Sequence, residues 1–323
     1  MSRRVLYVTD DRDTYSRGNY YVSYQRAFTR LATVRLVHPL DEALPNPADF
    51  DLVVLGHAAI ENYVRLRGAR FIPARVRNQL WFRHAGLRAL RGSRTPTVLF
   101  TKNDYKHFDL KNAFVGFVQP RLVITHTKSA LQRLQPPAAG RIQWLPFGVD
   151  TKLFTPPDRA VERPYALGFR ANANTEWNGG ERERLFQALT RLEHVRPVSL
   201  TMSRKGEGFL VGDAYVSWMR SCSLLGNTVS AAGTVGPRFL EAMACDTMVL
   251  APRNEYEGLL EHGKHYIGVD AGPGGAFPAL EQEVAKYFDD APYREGLHEA
   301  ARLLVTAHDV ENHVKQVFRD VGV

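Results

Sequence analysis

The segment Gly233-Thr234-Val235-Gly236-Pro237-Arg238-Phe239-Leu240-Glu241 brings two glycines, a proline, an arginine and a carboxylate together. Proline is favoured in the first turn of a helix, where the N–H it lacks has no intrahelical partner. A helix is therefore predicted to start at Pro237. Glycines just ahead of such a start let a ligand approach the backbone, and the free N–H groups of the first turn attract phosphate. Gly233, Thr234 and Gly236 are counted with that approach. Arg238 adds a fixed charge whose planar fork matches phosphate oxygens. Glu241, one turn further in, is placed to accept hydrogen bonds from ribose hydroxyls. This is the chemistry of a nucleoside-diphosphate site. An ordinary capped helix with Arg238 and Glu241 in solvent is the alternative.

The first half of the chain offers a different set. Asp11-Arg12-Asp13 has the spacing of a carboxylate pair that can hold a divalent metal. It lies far from the diphosphate segment, in a loop after the first predicted strand, so no required metal is expected. Asp10, Asp11 or Asp13 could instead act as a general base, because a carboxylate near a hydroxyl can take its proton. Asp13 is kept as the catalytic candidate. His57 directly follows the apolar run Leu52-Val53-Val54-Leu55-Gly56 and is a second one.

These residues need elements to position them. Val5–Val8, Val34–Val37, Asp51–Gly56, Thr97–Phe100 and Leu122–Ile124 read as short apolar strands, with helices predicted at 21–31 and 74–91. Continuous apolar strands separated by helical stretches indicate parallel pairing with helices on both faces. The pattern restarts after Ile142–Pro157, a segment rich in proline and glycine. Strands are predicted at 165–169, 198–202, 223–228, 248–251 and 266–269. Helices are predicted at 181–192, 213–221, 237–245, 254–261, 278–289, 292–306 and 309–319. The 323 residues, 44% hydrophobic and 24% charged, suit two globular α/β domains and exclude a disordered, collagen-like or coiled-coil chain.

Two motifs carry a family resemblance. Leu145-Pro146-Phe147-Gly148-Val149-Asp150-Thr151-Lys152-Leu153-Phe154 resembles the PxGVDxxxF segment at the domain junction of GT-B glycosyltransferases. Phe239-Leu240-Glu241-Ala242-Met243-Ala244-Cys245-Asp246-Thr247-Met248-Val249-Leu250-Ala251 resembles their EAMAxGxPVVA donor helix and following strand, and Tyr256–Gly263 resembles the segment after it. The Arg238-x-x-Glu241 form is most similar to the spore-maturation-protein-like branch of family 4-like enzymes. The resemblance implies a GT-B fold, two Rossmann-like doubly wound domains facing across a cleft. Residues 1–150 would bind the acceptor and residues 151–323 the nucleotide sugar, with the last helix packing back on the first domain.

The implied activity is transfer of a sugar from a nucleotide sugar to a hydroxyl, metal-independent, without a cofactor, and leaning to retention. A nucleotide-sugar epimerase or an inactive glycosyltransferase-like binding protein are the alternatives. Glu241 matches the ribose-binding glutamate and Arg170 the phosphate-facing arginine after the first strand of the second domain. Arg204 and Lys205 fall in a phosphate-facing loop. Asp104 falls where related enzymes face the acceptor and the transferred sugar, with Gly18, Tyr105 and His107 on the acceptor side. The chain departs from the pattern at three places. Gly233 stands where many retaining relatives carry a second glutamate, Asp246 replaces a glycine, and the lysine expected near Arg170 is absent.

Charge adds a partner. Residues 1–150 hold 23 lysines and arginines against 11 acids, a net +12, and residues 151–323 hold 19 against 23, a net −4. No acid lies between Glu61 and Asp104, a window with Arg65, Arg67, Arg70, Arg75, Arg77, Arg83, Arg88, Arg91, Arg94 and Lys102. The basic half is expected to meet an acidic acceptor or surface. A lipid-linked or membrane-interface partner is favoured, with Trp81 and Phe82 as apolar anchors, and nucleic acid comes second. A solvated arginine-rich face is the plain alternative. Two cysteines, Cys222 and Cys245, build no disulfide framework. With no secretory signal read at the start, the cytoplasm is the expected location, with peripheral membrane contact allowed.

Overall fold

The computed structural model describes residues 3–8, 20–38, 43–57, 59–60, 85–102, 106–157, 162–172, 180–203, 210–228, 233–273 and 276–323. These divide into two compact units. One contains the N-terminal strand, Tyr21–Pro146 and Val310–Val323, and the other contains Phe147–Asp309.

In the first unit, β1 (Arg4–Val8), β2 (Thr33–Val37), β3 (Leu52–Leu55), β4 (Thr97–Phe100), β5 (Leu122–Thr125) and β6 (Arg141–Trp144) form one parallel sheet, ordered β2-β1-β3-β4-β5-β6. β1, β3, β4 and β5 are buried almost end to end, as expected of strands covered on both faces. Alternate side chains feed two cores. Val5, Tyr7, Leu52, Val54, Val98 and Phe100 pack on Tyr24, Ala27 and Phe28 of α1 (Tyr20–Leu31). Leu6, Val8, Val53, Leu55, Leu99 and Val123 pack on Leu87 and Leu90 of α2 (Ala85–Gly92) and on Phe114, Val115 and Val118 of α3 (Phe108–Val118). The helix expected over 74–91 is described only from Ala85 on, and its earlier residues lie outside the described chain. α3 is not foreseen in the sequence, because most of its apolar residues are buried and no polar stripe marks it. Arg141–Trp144 lies inside the segment that reads as a linker but forms the edge strand β6.

The second unit has β7 (Tyr165–Asn172), β8 (Val198–Ser203), β9 (Cys222–Gly226), β10 (Met248–Pro252) and β11 (Ile267–Val269), all parallel and ordered β11-β10-β9-β7-β8. Its helices are α4 (Glu181–Thr190), α5 (Gly212–Arg220), α6 (Pro237–Ala244), α7 (Leu280–Asp289) and α8 (Ala291–Ala307). The helix expected over 254–261 is not there. The chain makes only a 3-10 turn at Tyr256–Gly258, where Glu257 and Gly258 take φ of +58° and +77°. Positive φ cannot continue a right-handed helix.

The last helix, α9 (Val310–Val321), belongs to the first unit. Val310, Val314, Val317, Phe318 and Val321 complete the α1 face of that sheet. Arg30 pairs with Glu311 at 2.5 Å and Arg141 with Asp320 at 2.6 Å. The change of unit therefore falls at Pro146–Phe147, slightly ahead of the expected Asp150, and again at Asp309–Val310. The two passages run side by side. Val149 N–H donates to His308 O, and the Thr151 hydroxyl donates to Asp309 Oδ2 at 2.6 Å. Asp150 is itself buried and receives the N–H groups of Lys152, Leu153 and Phe154 on its carboxylate and carbonyl, which explains the junction motif.

Candidate nucleotide site

In the second sheet the strand order reverses direction between β7 and β9, which are paired directly. Ligands of doubly wound sheets bind outside the carboxyl ends of the strands at such a switch point. Arg170 lies near the carboxyl end of β7, and the chain leaving β9 leads to α6. Gly233 takes φ +69°, a conformation that disfavours any residue with a Cβ. A glutamate there would be strained, which gives a physical reason for one departure from the family pattern. Thr234 and Val235 are buried, and Gly236 caps α6 with Pro237 in the first turn. A Cβ built on Gly236 meets nothing within 4 Å, so the backbone there is open to a close-lying group.

Arg238 and Glu241 project from α6 and are joined by a third side chain. Arg238 donates from Nε to the Tyr215 hydroxyl at 3.3 Å and from a terminal nitrogen to Arg170 O at 2.6 Å. Tyr215, on α5, donates its O–H to Glu241 Oε2 at 3.1 Å. The Tyr215 ring stacks on Trp218 and meets Phe154 edge-on, and the Arg170 guanidinium sits 5.4 Å over Trp218. Glu241 is 4% exposed. Burial pushes its carboxyl up to about 7, against the opposing pull of Arg238 and the Tyr215 hydrogen bond. Burial, and next the Glu241 charge, push the Tyr215 phenol up. Arg182, on the first turn of α4, is held below the usual arginine range by burial and then by the neighbouring Arg238. Guanidinium groups from β7, α4 and α6 are thus gathered at one switch point, with a carboxylate one helical turn behind.

Residues 181–319 match the model of a family described as glycosyl transferase-like. No curated protein matches the chain by sequence. Solved structures resemble it over nearly its full length. The Anabaena protein HepE, in complex with UDP and glucose, has a TM-score of 0.59 at 13% identity, covering 98% of this chain and 99% of that one. The N-terminal domain of Candida albicans trehalose-6-phosphate phosphatase has a TM-score of 0.63 at 10% identity, covering 99% and 97%. An alpha-glucosyltransferase in complex with UDP and a 13-mer DNA containing an HMU base has a TM-score of 0.59 at 11% identity, covering 100% and 99%. The chain has the GT-B fold.

In this GT-B fold Arg170, Gly233, Thr234, Gly236, Arg238 and Glu241 all fall at or beside the β7/β9 switch point or on α6. Arg204 and Lys205 lie outside the described residues, as do Asp13, Gly18, Asp104 and Tyr105. His107 is exposed, has φ +58° and caps α3 without a side-chain bond. His57 follows β3, next to the β1/β3 switch point of the first sheet, yet is only 1% exposed. His126 Nδ1–H donates to Leu145 O at 2.7 Å, and its Nε2 shares a hydrogen bond with His57 Nε2 at 2.8 Å. Burial first, then His126 and Lys102, hold the His57 pKa well below its ordinary value, so His57 is neutral at physiological pH. Among the described residues no three His, Cys, Asp or Glu side chains group as a metal site.

Sequence reasoning missed Tyr215, Arg182 and His126. Tyr215 sits in Asp213-Ala214-Tyr215-Val216, and no local pattern links it to Glu241. Arg182 stands one residue into a helix whose start is otherwise acidic, with Glu181 and Glu183. That juxtaposition was its only available signal.

Proposed function

We propose that the protein is a glycosyltransferase that takes its sugar from a nucleoside-diphosphate donor bound at the β7/β9 switch point and passes it to a hydroxyl acceptor. The observation that carries the reading is the convergence of Arg170, Arg182, Arg238 and Glu241 there. Glu241 accepts the ribose hydroxyls. The arginines and the first turn of α6 receive the diphosphate. In transfer the bond from the sugar anomeric carbon to the phosphate oxygen breaks, a bond to the acceptor oxygen forms, and the acceptor proton is released. Negative charge grows on the departing diphosphate, and fixed cations and helix N–H groups stabilise it without reorganising. That supply of positive charge supports a metal-independent reaction. Retention of anomeric configuration is the proposed course, on the family resemblance, and the anomer of the product read by NMR decides it. HepE and the alpha-glucosyltransferase were both captured with UDP, which supports the donor class.

The acceptor is proposed to be acidic, with a lipid-linked or membrane-interface molecule first, on the net +12 of residues 1–150. Nucleic acid is the second reading, favoured by the DNA held by the alpha-glucosyltransferase of the same fold. No helix among the described residues is long and apolar enough to cross a membrane.

The test is titration of UDP, GDP and ADP into the wild type and into Arg238→Ala and Glu241→Ala, with and without EDTA. Hydrogen bonds to charged groups contribute about 1.5–3 kcal/mol, so each variant should bind its nucleotide at least about tenfold more weakly. Chelation should change neither affinity nor turnover. Equal affinity in folded variants overturns the site, and loss of turnover in EDTA with rescue by manganese overturns the metal-independent reading.

A further inference from the structure

Tyr215 belongs to none of the expected site residues, and its hydroxyl bonds both Arg238 and Glu241. An arginine can only donate, so the Arg238 Nε contact makes the Tyr215 oxygen an acceptor. The single phenol proton is then directed to Glu241 Oε2. The ring has little freedom to leave this position, since it lies between Trp218 and Phe154. Glu241 Oε1, by contrast, has no hydrogen-bond partner among the described residues, so one carboxylate oxygen is held and the other is presented.

We propose that Tyr215 is a positioning residue of the donor site, whose hydroxyl fixes the direction of the Glu241 carboxylate and helps keep it ionised for the ribose. The proposal rests on the donor-site reading given above. A carboxylate binds two ribose hydroxyls as an acceptor, whereas a protonated carboxyl presents a donor in place of one acceptor. The charge state of Glu241 therefore enters the affinity directly. Among the described residues the groups facing it are Arg238 on its own helix, Tyr215 on α5 and Cys245 just past the end of α6, with Arg182 of α4 facing Arg238 in turn. Of these, Arg238 and Tyr215 favour the ionised form and burial opposes it. Removing the hydroxyl leaves burial less opposed, so the carboxyl gives up its proton only at higher pH.

The experiment measures the affinity of UDP, GDP and ADP from pH 5.5 to 9 in the wild type, Tyr215→Phe and Glu241→Gln. Phenylalanine keeps the ring packing and removes only the hydroxyl. In the wild type, affinity for the preferred nucleotide should rise severalfold through pH 7. In Tyr215→Phe the rise should move to higher pH, leaving affinity about three- to tenfold weaker at pH 7 and close to wild type at pH 9. Glu241→Gln should bind weakly with no such rise. A Tyr215→Phe profile that superposes on the wild type, or one weaker by the same factor at every pH, overturns the positioning role while leaving the donor site standing. If no nucleotide binds the wild type, or Glu241→Gln binds as tightly and with the same profile, the donor site itself fails and this inference with it.

Discussion

Glu241 shows what a buried carboxyl costs the molecule that keeps it. Its carboxyl titrates near 7 rather than the ordinary 4.5, because burial opposes the charge more than Arg238 and Tyr215 favour it. The folded protein therefore holds a proton that the unfolded chain has released between those two values. The stabilisation this represents is full below about pH 4.5 and is lost as pH rises through about 7. Above that range the protein carries a charge it would be more stable without. Glu241→Gln keeps the shape and removes the charge. At pH 8 it should be more stable than the unliganded wild type, on the order of 1–3 kcal/mol, and the gain should vanish near pH 4.5. Urea unfolding at the two values checks this. A variant less stable than the wild type at pH 8 would mean that Arg238 and Tyr215 outweigh burial. On the proposed donor reading the charge has a use, because the ionised carboxylate is the form that would accept from the ribose hydroxyls.

At the scale of the element, α6 is short and must be secured at both ends. Its N-terminus is set by Gly236 and Pro237. Its C-terminus lacks the expected glycine, yet Asp246 adopts the left-handed conformation a glycine would take, at φ +57°. An aspartate there also faces the negative end of the helix dipole. Three contacts compensate. His298 Nδ1–H donates to Asp246 Oδ1 at 2.9 Å, Arg302 reaches the same oxygen at 3.2 Å, and Arg163 lies 3.4 Å from Oδ2. Behind them, the Tyr287 hydroxyl donates to His298 Nε2 at 2.8 Å. Arg163 also donates to Cys222 O, Cys245 O and the Thr247 hydroxyl, closing the end of α6. Burial alone would raise the Asp246 pKa, but the His298 bond and the charges of His298, Arg163 and Arg302 win and hold it below the usual carboxylate range. A lowered pKa stabilises the fold above the unfolded value and loses that contribution as pH falls through the folded one. Asp246→Asn tolerates the same backbone and loses the charge. It should cost about 1–2 kcal/mol at pH 7, and the cost should shrink as pH falls below the ordinary aspartate range, read from denaturant midpoints. An equal loss at every pH would assign the effect to shape rather than charge.

Across the whole molecule, the two units repeat one plan with opposite electrostatics. The first carries the excess of arginines, and the acid-free stretch between Glu61 and Asp104 concentrates it. Exposed charges are screened within about 10 Å at 0.1 M salt, so an acidic partner held by them should be released as salt rises. Anionic vesicles and single-stranded oligonucleotides, tested side by side at low salt, should show binding that falls when Arg75, Arg77, Arg83 and Arg88 become Gln. Nucleotide affinity should stay unchanged, since Arg170, Arg238 and Glu241 belong to the other unit. A lipid partner should also depend on Trp81 and Phe82, and a nucleic acid should not. Binding of neither ligand would make the arginines a solvated face and direct the search to neutral acceptors.

The amino-acid order by itself determined what neighbouring residues determine. Buried strands read from their apolar runs, the start of α6 from Gly236-Pro237, and the junction from Pro146–Phe154, because each rests on backbone preference or burial over a few positions. Arg238 and Glu241 were legible for the same reason, being three residues apart on one helix. Only the tertiary structure supplied what joins them. Tyr215 lies 26 positions before Glu241, His298 lies 52 positions after Asp246, and His57 and His126 are 69 apart. The turn read as a helix at 254–261 failed on a reversal of φ that no apolar pattern records. The return of α9 to the first unit is not legible in its own residues, since an amphipathic stripe shows that a face is buried but not which sheet buries it. Spacing along the chain carries contacts within a turn or a strand. Contacts made by crossovers depend on strand order, and strand order exists only once the sheet has formed.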